Sequence, residues 1–193
     1  MCSKPEKINL FPLILTLQRF FNLISDKFEI SSNSLTDFKL KITSLIGLFN
    51  IFGTLTSGYL STKISKKKLL SAIYFLRGVS ILYFILMPSS VINALIFGAT
   101  FGYLWLSTVP PTSGIVGHIF GTKYVSLLYG FVFLSHQVGS FLGAYLGGLF
   151  HDLYGSLDYA WYISIALSLF AGLIHLPIKE IAIERKQLAT SEI

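Results

Sequence analysis

Residues 124–150 read YVSLLYGFVFLSHQVGSFLGAYLGGLF and contain no Asp, Glu, Lys or Arg. At about 1.5 Å per residue, a helix of this length is long enough to cross a hydrocarbon core of about 30 Å. Gly139, Gly143 and Gly147 recur every four residues, so they lie on one face of the helix. In lipid, a face of small residues lets two helix backbones approach closely. The stretch therefore predicts a membrane helix that packs tightly against neighbouring helices.

The composition of the whole chain is typical of a polytopic membrane protein whose solvent is lipid. Of its 193 residues, 53% are hydrophobic and 12% are charged, whereas soluble domains carry about 25% charged residues. The net charge of +6 does not predict a nucleic-acid partner, because basic residues of a membrane protein must be read by position. Cys2 is the single cysteine and the four histidines form no His-x-x-x-His pair, so we predict neither a metal nor a cofactor.

Uncharged stretches and turn signals divide the chain into an all-α membrane bundle over residues 42–178. We predict five clear spans, and they cover residues 42–60, 69–87, 91–109, 124–150 and 159–178. Pro110 and Pro111 disrupt the third span or mark its end. The segment 179–193 is a polar tail.

Residues 1–41 form an N-terminal segment that the sequence leaves open. Residues 8–24 are apolar but few, and their polar residues include Arg19, so they fit a poor span, an interfacial helix or a signal-like segment. A small-residue cleavage site does not follow, which disfavours the signal peptide. Residues 25–41 are polar and predict a loop.

The positions of Lys and Arg predict the orientation of the bundle. The segments 61–68, 117–124 and 179–193 carry four, one and three of these residues, whereas the connections 88–90 and 151–158 carry none. Basic residues accumulate on the cytoplasmic side of a membrane. We therefore predict a cytoplasmic C-terminus.

Two spaced motifs resemble those of the major facilitator superfamily of secondary transporters. The first is the glycine pattern of the 124–150 helix, in which Ala144 replaces the usual Pro; its glycines are Gly130, Gly139, Gly143, Gly147 and Gly148. The second is an inter-helix loop signature in which Thr62 replaces an Asp and Ser65 replaces a Gly; the matching residues are Gly58, Lys63, Lys66 and Lys67. In the family, that Asp caps a helix end and pairs with a basic residue. Thr62 is able to cap but not to pair as a charge.

The resemblance extends from about Ser44 to Glu180 and implies the last five helices of a bacterial transporter, with residues 8–24 as a degenerate seventh. Shorter segments around residues 74–78, 105–111 and 136–139 resemble monocarboxylate-porter-like members. The resemblance to the superfamily implies a symporter or antiporter in the inner membrane, which moves a small solute by alternating access. We expect a half-size or truncated gene product, a fragment that needs a homodimer or a separately encoded N-terminal half. The alternative is a non-transporting remnant or membrane scaffold, and an enzyme has the least support.

Arg77 is the main candidate for substrate binding. It lies nine residues after Lys68 and ten before Met87, near the middle of a span. A central Arg costs about 2.5–3.5 kcal/mol to insert, and none of the five predicted spans contains an acid. Its partner is therefore a backbone carbonyl, water, an acid elsewhere or an anionic substrate. A structural Arg that binds carbonyls at a helix interface and an Arg that binds an organic anion are equally supported.

Five further residues are weaker candidates for the same site. His136 and Gln137 lie mid-helix, where a His relays protons or simply packs. Asn50 forms an interhelical hydrogen bond or contacts substrate, and the first is favoured. Tyr103 and Trp105 line a cavity or pack at helical spacing.

Overall fold

The computed structural model of the protein describes residues 32–88 and 90–182, which form α-helices joined by short connections and contain no strand. The helices of these residues are α1 (Ser32–Lys63), α2 (Lys66–Leu86), α3 (Val91–Trp105), α4 (Val109–Phe120), α5 (Val125–Tyr154) and α6 (Asp158–His175), with a 3₁₀ turn at Thr122–Tyr124. The all-α class is confirmed.

Four helical stretches among the described residues are long and apolar enough to cross a membrane: Leu40–Lys63, Lys66–Leu86, Val91–Phe120 and Thr122–Tyr154. They contain the predicted spans 42–60, 91–109 and 124–150 in full and 69–87 up to Leu86. The fifth predicted span, 159–178, corresponds to α6, which is not among these four, so its crossing stays a prediction. The predicted segment 8–24 lies outside the described residues.

The first helix begins earlier than the sequence indicates. Residues 32–41 are helical. The prediction of a loop over 25–41 is therefore wrong for residues 32–41, the part of it that the structure describes. The reason is tertiary packing, because Phe38 and Ile42 lie one turn apart and are both buried against Ala94 of α3. The predicted cytoplasmic loop at 117–124 is also shorter, since α4 continues to Phe120 and a 3₁₀ turn follows.

Two packed pairs of helices run in the directions expected for successive crossings. Helix α1 runs parallel to α3, because Ile46 contacts Gly102 and Asn50 contacts Leu106 further along both. Helix α6 runs antiparallel to α2. Ser71 near the start of α2 donates to the Gly172 carbonyl (2.7 Å), and Phe84 near its end packs on Trp161 (ring centroids 5.5 Å).

The glycine helix α5 is the most exposed element of the described bundle. None of its residues is buried. A Cβ added at Gly130, Gly139, Gly143 or Gly147 would meet nothing within 4 Å. The close backbone approach predicted for this face instead occurs between α1 and α3, where a Cβ on Gly102 would lie 2.7 Å from the Ile46 backbone. Tight packing of other helices against the glycine face of α5 stays a prediction.

Candidate functional site

The interruption between α3 and α4 is the feature around which polar side chains gather. Pro110 and Pro111 lie in the first turn of α4 and have no N–H, so they cannot donate to the carbonyls one turn earlier. The Val109 N–H instead donates to the Leu106 carbonyl (3.0 Å), which tightens the chain into a turn. The predicted disruption is therefore present, and α3 ends at Trp105, before the prolines.

Arg77 supplies donors to the carbonyls at the end of α3. Its Nη2 donates to the carbonyl oxygens of Leu104 (2.7 Å) and Trp105 (2.9 Å). The guanidinium also lies over the Tyr74 ring, 5.3 Å from its centroid. Arg77 stands near the middle of α2, so the break lies at mid-depth of the bundle. One of the two interpretations of Arg77, a structural Arg bonded to carbonyls, describes these contacts.

The Arg77 side chain is not fully paired in this arrangement. Its Nε is buried and has no hydrogen-bond partner among the described residues. A buried N–H without a partner is costly, more so when the group is charged. An acceptor beside this nitrogen would relieve that cost.

Asn50 holds the other side of the break from α1. Its Oδ1 accepts a hydrogen bond from the Leu106 N–H (3.0 Å). Inside the turn, the Ser107 hydroxyl donates to the Tyr103 carbonyl, and Ser107 is only 1% exposed. The interhelical hydrogen bond that the sequence favoured for Asn50 is what the structure contains, although it joins a side chain to backbone.

Tyr103 and Trp105 lie on α3 just before the break and are both exposed. The Tyr103 hydroxyl and Thr56 Oγ1 are 2.5 Å apart, which adds a second polar link between α1 and α3. Four of the six predicted substrate residues, Arg77, Asn50, Tyr103 and Trp105, therefore contact or adjoin the break. Thr56 was not singled out, although its position six residues after Asn50 in a polar span was the available signal.

His136 and Gln137 are not part of this cluster. Both are exposed on α5, and the aromatic neighbour of the His136 ring is Phe133, one turn earlier on the same helix (centroids 6.2 Å).

The predicted loop signature lies at the end of α1. Its Gly58 contacts Pro110 of α4, with 3.8 Å between an added Cβ and the proline ring. The Thr62 hydroxyl donates to the Tyr59 carbonyl of its own helix (2.8 Å), so the cap considered for Thr62 is wrong.

Comparison with known proteins identifies the family. A family model described as Major Facilitator Superfamily matches residues 9–191. The chain belongs to this superfamily. The superfamily that its two motifs resemble is thereby confirmed.

One relative of this Major Facilitator Superfamily member is the uncharacterized MFS-type transporter YcxA of Bacillus subtilis (strain 168). It is 30% identical over 112 residues, which cover 55% of this chain and 28% of that protein. The match thus spans less than a third of the relative's length. No solved structure matches significantly.

Family and apolar helices together show a multi-pass membrane protein, and they support solute transport in general. Secondary transporters place substrate near mid-membrane, often at discontinuous helices. The α3–α4 break is such an interruption and holds a charged side chain, which makes it the candidate site.

Proposed function

We propose that the protein is one helical bundle of a secondary active transporter, and that it moves a small organic anion by alternating access. The observation that carries the proposal is the Arg77 guanidinium at mid-depth, with Nη2 on two carbonyls and a buried Nε left unpaired. Arginine binds a carboxylate through two parallel N–H···O bonds. A carboxylate beside Nε would satisfy this donor and neutralise the charge.

The neighbours of Arg77 suit the rest of such a ligand. Trp105, whose carbonyl Arg77 binds, presents an exposed aromatic ring. The Tyr103 and Thr56 hydroxyls supply polar contacts.

A second bundle completes the site in our proposal, because transporters of this class hold substrate between two halves. A second copy of this chain or a separate six-helix polypeptide supplies it. The exposed glycine face of α5 supports such an arrangement, since small residues let a partner helix approach. Crosslinking in native membranes, followed by mass determination, distinguishes the two partners.

We also propose that α6 crosses the membrane and that the C-terminus is cytoplasmic in a bacterial inner membrane. The antiparallel packing of α6 along α2 supports the first point. The bias of Lys and Arg supports the second. Proton coupling through His136, with Gln137 beside it, completes the proposal, because an imidazole is able both to accept and to donate a proton.

Uptake into proteoliposomes tests the anion proposal. A panel of organic anions is compared between the wild type, Arg77→Lys and the control Lys68→Arg, which lies on α2 but at its exposed end. Arg77→Lys keeps the charge but loses the fork that binds a carboxylate at two points. We expect uptake of the transported anion to fall at least tenfold in Arg77→Lys alone, about 1.4 kcal/mol of binding. Unchanged uptake of every anion would refute the substrate role.

A non-transporting scaffold or remnant is the second candidate. Two observations favour it: carbonyls already occupy Arg77, and Thr62 replaces the loop Asp and bonds within its own helix. Under this alternative, wild-type proteoliposomes show no flux above empty liposomes for any anion tested.

A further inference from the structure

The segment that follows α6 returns to the start of α2. Glu180 Oε1 accepts a hydrogen bond from the Lys67 backbone N–H (2.6 Å) and another from the Ser65 hydroxyl (2.8 Å). Glu180 is 113 residues from Lys67 in the chain. The carboxylate therefore occupies the place that an N-cap side chain normally fills, but it comes from the far end of the bundle.

Helix α2 lacks a local means of stabilising its N-terminus. Its first turn contains no acidic residue, and Ser65 at the N-cap position makes no side-chain capping bond. That turn instead carries Lys66, Lys67 and Lys68. A helix N-terminus has unpaired N–H groups and a partial positive charge, so three cations there are unfavourable. A carboxylate from elsewhere relieves both problems.

The electrostatics of Glu180 agree with this geometry. Burial opposes ionisation of the carboxyl, but the hydrogen bonds from Lys67 and Ser65 and the charge of Lys66 outweigh it and lower the pKa of Glu180. The carboxylate is therefore the form that the folded protein favours.

Helix α4 joins the same cluster. His118 Nε2 lies 3.2 Å from the Glu180 carbonyl oxygen, so a tautomer with a proton on Nε2 donates to it. The Lys66 side chain also lies against Gly114 of α4, where an added Cβ would be 3.0 Å from Lys66 Cε. Glu180 thus touches α2 with its side chain and α4 with its backbone.

We propose that residues 176–182 are a strap, and that Glu180 caps α2 in trans to hold the ends of α2, α4 and α6 together. The strap supplies the cap that Ser65, the local N-cap residue, does not provide. It keeps these three ends as one rigid unit, whereas the break at Arg77 lies half a bundle away. The proposal concerns the fold and does not depend on whether the protein transports an anion.

Hydrogen–deuterium exchange of the full chain in detergent or nanodisc tests the strap. In Glu180→Ala, we expect amides of residues 65–68 to exchange about tenfold faster, as the loss of an N-cap and its charge allows. Amides of 178–182 should accelerate together with them, because the strap loses its anchor. Glu180→Gln keeps an acceptor oxygen but no charge, so a smaller rise is expected. Asp152→Asn is the control, since this acid pairs with His151 at an exposed site.

Two results would overturn the proposal. If the amides of residues 65–68 exchange in Glu180→Ala at the same rate as in the wild type, the carboxylate does not cap α2. Acceleration at 65–68 with unchanged exchange at 178–182 means that it caps the helix without holding the segment. If Glu180→Ala is poorly folded, Ser65→Ala removes one of the two bonds and should give an intermediate rise at both places, and wild-type exchange would again contradict the strap.

Discussion

Substitution of Gly102 by Ala tests the packing that positions the candidate site. A Cβ on Gly102 would lie 2.7 Å from both Cα and the carbonyl oxygen of Ile46. Ordinary contacts with a Cβ begin at about 3.4 Å, so α1 and α3 must separate by roughly 0.7 Å or more at a point where both partners are backbone. Overpacking of this kind costs about 1–3 kcal/mol. The shift also strains the Asn50 bond to Leu106, which lies one turn further along both helices.

Gly98 and Gly139 provide matched controls for this substitution. Gly98 is one turn before Gly102 on α3, and an added Cβ there meets the Ile42 side chain at 3.5 Å, an ordinary contact. Gly139 on α5 has nothing within 4 Å. The unfolding of all three Ala variants is followed in detergent by circular dichroism against temperature or SDS. We expect Gly102→Ala alone to unfold earlier. Equal stability of Gly102→Ala and Gly98→Ala would refute the close packing of α1 on α3.

Three further predictions concern single polar contacts. Asn50→Ala leaves the Leu106 N–H without its acceptor and should cost about 1–3 kcal/mol of unfolding free energy. Thr56→Val and Tyr103→Phe should show a coupling of about 0.5–1 kcal/mol in a double-mutant cycle, whereas additive effects would mean that the hydroxyls do not interact. The pKa of Glu180 is lowered in the folded protein. Its contribution to stability is therefore constant at pH values above the unfolded pKa of about 4.3, and it is lost only as the pH falls through the lower pKa of the folded protein. The ratio of the exchange rate at residues 65–68 in Glu180→Ala to that in the wild type should therefore be the same at pH 8 and pH 6. A ratio that falls to one at pH 6 would contradict this prediction. The nearby titratable groups are Lys66, Lys67, Lys68, Lys179 and His118.

The sequence predicted the features that follow from local composition. Long uncharged stretches define helices in lipid, so four of the predicted spans coincide with helical stretches of sufficient length and apolarity. Pro110 and Pro111 predicted the interruption for a covalent reason, the missing N–H. The cost of a charge in lipid pointed to Arg77, whose carbonyl partners were one of the alternatives.

Features that depend on residues distant in the chain were not predictable in the same way. The polar stretch 32–41 predicts a loop from its composition, but Phe38 packs against Ala94 of another helix and this contact stabilises the helical form. The sequence offered Thr62 as a cap, because caps are normally local, yet Glu180 caps the start of α2 from beyond α6. Glycine spacing on α5 predicted close packing, but spacing alone does not say which glycines have a partner, and among the described residues Gly53 and Gly102 approach a partner backbone most closely.

The two interpretations of Arg77 are compatible once its nitrogens are considered separately. Nη2 alone makes both carbonyl bonds, so the structural role uses one of the three nitrogens of a planar group that has five N–H donors. These bonds fix the plane of the guanidinium against the break, and a fixed fork loses less entropy when it binds a carboxylate. The buried Nε then remains as the donor whose pairing would repay its desolvation. Under the proposed function, the break that Arg77 holds also presents Arg77 to the anion, and we expect loss of the carbonyl bonds to weaken anion binding as well as the fold.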